Sequence, residues 1–230
     1  MKTIGLIGGT GWVSTVEYYR QLNEKINQRL GGLNFASCIL HSFNYAEIDI
    51  LNQTNDQEKL HKKLHLAAQS LILSGAEGIA LCANTLHRFA EQLGRELHTP
   101  IIHIAEATAR KASSLGIKRL GLVGTLPTME EDFYKSKFLM AGIEVIVPGK
   151  DKRKYIHSVI NSELIKSIFL PETRKRMTGI FDQLKAEGVE AIMLGCTEIP
   201  LLISQSDYSL PLLNTLDLHT DAIVEFALGN

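Results

Sequence analysis

Gly75-Ala-Glu-Gly-Ile-Ala-Leu-Cys-Ala-Asn-Thr85 has a near twin later in the chain, Gly188-Val-Glu-Ala-Ile-Met-Leu-Gly-Cys-Thr-Glu198, aligned without a gap at an offset of 113 residues (Gly75 onto Gly188). Glycine falls on glycine, Glu77 on Glu190, and one short apolar run on another. A run of this length, closed by small and polar residues, reads as a buried strand entering a turn. A second pair in the same order, Ile4-Gly-Leu-Ile-Gly8 and Leu120-Gly-Leu-Val-Gly124, sits at an offset of 116 (Ile4 onto Leu120), so one short insertion reconciles the two. Two strands matched in order, both ending in turn chemistry, point to a duplicated lobe.

Outward from these strands, short apolar runs alternate with longer amphipathic stretches, the pattern of parallel strands joined by crossover helices. Strands are expected over Ile4–Ile7, Phe35–His41, Gly78–Cys82, Pro100–Ile104, Arg119–Val123, Glu144–Val147, Ala191–Leu194 and Pro211–Asn214. Helical spacing covers Ser14–Leu30, Glu58–Ser74, His87–Leu97, Ala105–Leu115, Met129–Ala141, Lys154–Ser167, Glu172–Glu187 and Leu218–Leu228. The expected fold class is α/β: two similar doubly wound parallel-sheet lobes related by pseudo-two-fold symmetry, with no low-complexity linker between them.

Composition narrows the function. Lys+Arg 24 against Asp+Glu 25 leaves no charge excess to attract nucleic acid or an anionic membrane. No apolar segment reaches the ~20 residues that span a bilayer, and MKTIGLIGGTGW lacks the form of a secretory signal. Three cysteines, Cys38, Cys82 and Cys196, fit neither a disulfide framework nor a zinc pattern. A cytoplasmic protein with free thiols and no metal is expected.

In open parallel sheets, ligands bind beyond the carboxyl ends of the strands, where backbone N–H groups face the crevice. Four such ends stand out: Gly8-Gly9-Thr10, Ala83-Asn84-Thr85, Gly124-Thr125 with Thr128, and Gly195-Cys196-Thr197-Glu198. Their donors suit a small anion such as a carboxylate, and pseudo-symmetry would set two of them facing the other two across a cleft. Gly8-Gly9-Thr10-Gly11 meets neither the dinucleotide fingerprint nor the Walker A pattern. Cys196 follows a strand and a glycine at what reads as a helix start, where the positive end of the helix favours a thiolate. Cys82 aligns with Gly195 and Cys38 lies on an early strand, so both are read as packing residues. His87, His98, His103, His157 and His219 are scattered. His61 and His65 are i, i+4 without the zincin glutamate, which reads as a solvated helix face. Glu198 reads as a base or a helix cap, and Lys166 as a partner for a carboxylate or a solvated lysine.

Together these residues resemble the aspartate/glutamate racemase family over nearly the whole chain. The resemblance rests on Gly8-Gly9-x-x-Trp12 with Ser14-Thr15 and Tyr18-Tyr19; Cys82-Ala83-Asn84-Thr85 followed by His87; Gly124-Thr125-x-x-Thr128-Met129 with Asp132-Phe133-Tyr134; and Gly195-Cys196-Thr197-Glu198. It implies an N-terminal lobe of residues 1–99 plus 207–230, a C-terminal lobe of 100–206, and a site between them. It also implies cofactor-independent racemisation of an amino acid or dicarboxylate substrate, with Cys196 as thiol acid/base. Thr10, Asn52, Asn84, Thr85, Thr125, Thr128, Lys166 and Thr197 would bind the substrate. A homodimer fits the resemblance.

The chain departs from the usual pattern in three places. Ala83 stands where the family's first cysteine is usual, Thr10-Gly11 where Met-Ser is common, and Asn214-Thr215 where Asp-Thr is common. Ala83 carries no proton, so water or Thr85 would serve the face opposite Cys196. Two other readings remain: a one-thiol decarboxylase of malonate-type acids, and a non-catalytic carboxylate binder.

Overall fold

The computed structural model describes residues 1–229. The first unit is built from β1 (Ile4–Gly8), α1 (Trp12–Leu30), β2 (Cys38–Ser42), α2 (Tyr45–Gln53), α3 (Gln57–Leu73), β3 (Gly78–Leu81), a 3-10 turn over Asn84–Phe89, α4 (Ala90–Leu97) and β4 (Ile101–Ile102). The chain continues through α5 (Ile104–Ser114), β5 (Arg119–Gly124), α6 (Leu126–Glu130), α7 (Asp132–Met140), β6 (Glu144–Ile146) and α8 (Lys150–Ser162). A 3-10 turn over Leu164–Lys166, α9 (Pro171–Ala186), β7 (Ala191–Gly195), α10 (Ile199–Leu202), a 3-10 turn over Gln205–Asp207, β8 (Leu212–Asn214) and α11 (Thr215–Leu228) complete it.

Two four-stranded parallel sheets result, in the orders β2-β1-β3-β4 and β6-β5-β7-β8. The central strands β1, β3 and β7 are buried at every residue, as expected where helices cover both faces of a parallel sheet. Pairing registers reproduce both sequence offsets: Ile4 faces Gly78 in the first sheet and Leu120 faces Ala191 in the second. The aligned glutamates have matching roles. Glu77 accepts from the Thr3 N–H at 3.0 Å, and Glu190 accepts from the Lys118 and Arg119 N–H groups. Each also returns its own N–H to Thr3 or Arg119 at 2.8 Å, so one side chain closes the start of a central strand pair.

The fourth strands extend the repeat. The Ile79 N–H donates to Pro100 and the Ile192 N–H to Pro211, both at 2.9 Å. Each proline, lacking an N–H, sits just ahead of its strand, where no donor is required.

These strands correct the lobe boundaries. β4 pairs with β3 in the first sheet and β8 pairs with β7 in the second, the reverse of the expected assignment. The first unit is therefore Met1–His103 with the C-terminal helix from His219, and the second is Ile104–Leu218. A strand belongs to the sheet whose hydrogen bonds it completes, whereas the helix after it is free to join the other unit.

Each unit has its own core. Ile7, Leu64, Leu71, Ile79 and Leu93 anchor the first; Leu120, Tyr134, Phe138, Phe181 and Ile192 anchor the second. α3 shows why the helices form. Asp56 caps it through the Lys59 N–H, and Leu60, Leu64, Ala67, Ala68 and Leu71 make one buried stripe. The single helix expected over Met129–Ala141 is two, because Glu131 is extended (φ −79°, ψ 154°). Among the described residues, no helix is long and apolar enough to cross a membrane.

Candidate active site

In the second unit, β7 ends on Gly195, whose Cβ would lie 2.6 Å from Leu122 and 3.1 Å from the Val123 carbonyl. Only glycine allows that approach, and it delivers Cys196 to the strand's carboxyl end. The Cys196 Sγ donates to Glu198 Oε2 at 2.9 Å, and the Thr197 hydroxyl donates to the same oxygen at 3.1 Å. All three residues are buried. Thr215 at the start of α11 ties the strand in place by donating to the Leu194 carbonyl at 2.8 Å.

This geometry reverses one expectation. The Cys196 thiol is held well above its ordinary pKa, first by burial and then by the adjacent Glu198 carboxylate, which repels a thiolate and accepts the S–H proton. Backbone N–H groups of Glu198 and Ile199 pull the other way and lose. α10 is only four residues long, so its dipole is small. The resting group is a thiol hydrogen-bonded to a carboxylate. Glu198 makes no side-chain cap.

At the end of β5, the Thr125 and Thr128 hydroxyls lie 3.0 Å apart. The Leu126 N–H donates to His157 Nδ1 at 3.3 Å, so α8 fixes the entry of α6.

In the first unit, Gly9 turns the chain at φ +83°, where a Cβ would strike the Phe43 backbone at 2.3 Å. Its N–H donates to the Thr15 hydroxyl at 3.0 Å, and that hydroxyl donates to the Gly11 carbonyl at 3.1 Å. The neighbouring Thr10 hydroxyl oxygen is buried and has no hydrogen-bond partner among the described residues. A buried hydroxyl left so is costly unless something else answers it, which suits a ligand-binding donor.

Beyond β3, Cys82 is 1% exposed and packs as expected, its thiol pushed up by burial. Cys38 is half-buried. Ala83 leads into the 3-10 turn, where Asn84 is buried and Thr85 half-buried.

At this turn lies a cluster that no spacing in the sequence brings together. His87 Nε2 donates to the Leu81 carbonyl at 3.1 Å, leaving Nδ1 as a buried lone pair without a partner among the described residues. His219 Nε2 donates to the Ile102 carbonyl at 2.8 Å, and its Nδ1 accepts from the Tyr18 hydroxyl at 2.7 Å. His87 lies 4.7 Å from His103 and 5.3 Å from His219 between ring centroids. Burial first, then the neighbouring imidazoles, hold His87 well below its ordinary pKa. Burial brings His219 down to about 3. Four members from four separated parts of the chain leave no spacing to read.

Two expected substrate residues stand apart. Asn52, in the last turn of α2, and Lys166, in the turn after α8, are both exposed. No hydrogen bond described for either side chain joins it to a strand end.

Residues 7–223 match the model of the Asp/Glu/Hydantoin racemase family. The broad specificity amino-acid racemase RacX of Bacillus subtilis (strain 168) is 23% identical over 221 residues, covering 92% of each chain. A Yersinia pestis crystal structure, provisionally named an Asp/Glu racemase, is 39% identical with a TM-score of 0.91, covering 99% of this chain and 100% of that one. An aspartate racemase homologue from Pyrococcus horikoshii OT3 is 32% identical with a TM-score of 0.85, at the same coverage.

Proposed function

The chain belongs to the Asp/Glu/Hydantoin racemase family, and on that premise we propose that it interconverts the enantiomers of an acidic amino acid, aspartate or glutamate. The observation that carries this reading is the buried Cys196 Sγ–H···Glu198 hydrogen bond of 2.9 Å at the end of a central strand. In the proposed reaction the S–H proton passes to Glu198 Oε2, and the thiolate takes the α-proton of the substrate. The electron pair of the broken C–H bond stays on the α-carbon and its carboxylate. Thr197 steadies Glu198 throughout. Positioned acid/base groups of this kind contribute roughly 10²–10⁴-fold to rate.

A carbanion beside a carboxylate carries two negative charges' worth of demand on the site. We assign Thr10, Asn84, Thr85, Thr125 and Thr128 to meet it, since hydroxyl and amide donors in a water-poor site stabilise developing charge strongly. Asn52 and Lys166, exposed in this structure, are assigned no part in the reaction. With Ala83 in the first unit, return of a proton from the opposite face falls to water or Thr85, so exchange is slow and one-sided.

The test is α-deuteration in D₂O of each enantiomer of aspartate and glutamate. Incorporation into one enantiomer faster than the other, lost with Cys196→Ala, supports the proposal; no incorporation into any of the four sinks it. One observation favours a second reading. A resting thiol beside a carboxylate is a ready proton donor, which is all that decarboxylation of a substituted malonate needs. Release of CO₂ from malonates without α-deuteration of amino acids would decide for that reaction.

A further inference from the structure

The i, i+4 pair His61 and His65 on α3 has no acidic residue on its own helix in the zincin pattern. The fold supplies one from α4. Glu96 Oε2 lies 2.9 Å from His65 Nδ1 and 3.2 Å from His61 Nε2. One ligand atom from each of the three residues falls within 4.8 Å of the other two. The pair is therefore more than a solvated helix face: His61 and His65 are half-buried, and the His61 ring packs against Phe89 at 5.8 Å between centroids. His61 Nε2 is buried and, close as it is to Glu96, satisfies no hydrogen bond among the described residues. Gln92 donates to the other oxygen of Glu96 at 2.8 Å and so fixes how the carboxylate is turned.

We propose that His61, His65 and Glu96 form a binding site for one divalent transition-metal ion, with Zn²⁺ as the reference metal. Zinc takes imidazole nitrogens and carboxylate oxygens at about 2.0–2.2 Å, which places neighbouring tetrahedral ligands roughly 3.4 Å apart. The two spacings to Glu96 are already close to that, and the two imidazole nitrogens lie within 4.8 Å of each other, so side-chain adjustment completes the set. Three protein ligands leave a fourth position for water. Two imidazoles select zinc, nickel, cobalt or copper over magnesium and calcium. Gln92 acts as the outer-shell partner that orients the carboxylate. Zinc takes imidazole and carboxylate only in their deprotonated forms, so it competes with protons for these ligands. The ion would staple α3 to α4, and α4 follows directly on the turn that carries Asn84 and Thr85.

The test is a titration of the full chain with ZnCl₂ by calorimetry, in a phosphine reductant that leaves zinc free. One site per chain is expected. His65→Gln or Glu96→Gln should weaken it more than tenfold, and Gln92→Ala by about tenfold. Zinc should raise the melting temperature of the native chain and leave that of His61→Ala/His65→Ala unchanged. That double variant keeps all three cysteines and the buried histidines, so an unchanged isotherm in it would overturn the proposal. No saturable binding to the native chain would do the same. If the double variant does not fold, cobalt decides: tetrahedral visible bands in the native chain that vanish in His65→Gln support the site, and bands that persist refute it.

Discussion

The two units share strand order, central-pair register and the glutamates that close those pairs, yet their strand ends carry different chemistry. Where the second unit has Gly195-Cys196-Thr197-Glu198, the first has Cys82-Ala83-Asn84-Thr85. The divergence reaches the support layer as well. Tyr18 of the first unit and Tyr134 of the second match at the offset of the β1–β5 pair (Ile4 onto Leu120), and both are fully buried. Tyr18 donates to His219, whereas Tyr134 is hydrogen-bonded to Thr108, and those partners match at the offset of the prolines (Pro100 onto Pro211). The scaffold is held in common by groups that answer backbone or tyrosine. At the ends, one unit keeps a thiol hydrogen-bonded to a carboxylate, and the other keeps neutral donors beside imidazoles held below their ordinary pKa.

The widest separation is expected between the two cysteines at the strand ends. Cys196→Ala should lower α-proton exchange by roughly 10²–10⁴-fold with the fold intact. Cys82→Ala should leave turnover unchanged and cost about 1 kcal/mol of stability, the scale of one buried atom lost from a core. Exchange rates and urea unfolding of both variants check this. Equal loss of activity in the two would erase the distinction between the units.

Acid should separate the units next. His219 is neutral in the folded chain down to about pH 3 and ordinary when unfolded, near 6.5. Above pH 6.5 neither state binds the proton, and below it only the unfolded state does. Stability therefore falls as pH drops from about 6.5 toward 3, by on the order of 3 kcal/mol between pH 7 and pH 4.5 from this group. His87, also held low, adds to the slope. His219→Thr copies the Thr108 arrangement into the first unit. It should flatten the dependence while costing about 1 kcal/mol at pH 7 through the Tyr18 bond. Urea unfolding at both pH values measures it, and an unchanged slope would show that other groups govern acid lability.

The central strands were legible because a buried parallel strand is a continuous apolar run, and two such runs aligned with their glutamates. The fourth strands were legible as strands, but the sheet each joins was not, since β4 has two residues and β8 three, too few to mark a partner. The Pro100 and Pro211 match that marks them lies at its own offset (Pro100 onto Pro211), and without it the lobe boundaries went to the wrong strands. α2 escaped notice because Ile48 is its one buried residue and leaves no stripe to detect. Gly195 and the strand end single out Cys196 in the sequence, but its protonation state depends on burial and on where the Glu198 side chain turns. Neither is written in Gly-Cys-Thr-Glu.

Glu198 itself offers a sharper probe of the second unit. Glu198→Gln removes the charge that, after burial, raises the Cys196 thiol. The pH midpoint for alkylation of Cys196 should therefore move down. Exchange activity should fall by roughly tenfold or more even so, because glutamine cannot take the S–H proton. The first unit has Thr85 at the matching place, and Thr85→Val should leave that midpoint where it is. A midpoint that rises in Glu198→Gln would show that the carboxylate stabilises the thiolate, contrary to the proton path proposed here.

The smallest effect concerns what the units share. Glu190 answers two backbone N–H groups, of Lys118 and Arg119, while Glu77 answers that of Thr3. Those bonds hold the Glu190 carboxyl below its ordinary pKa. A group depressed in this way stabilises the fold above about pH 4.5 and loses that contribution as pH falls further. Glu190→Gln should lower the melting temperature at pH 7 by about one to three degrees, Glu77→Gln should lower it less, and the gap should narrow as pH falls below about 4.5. Both positions are solvent-accessible, so added salt should shrink the difference too. If Glu77→Gln proved the more damaging, the strand closure would depend on the unit around it rather than on the number of N–H groups each glutamate answers.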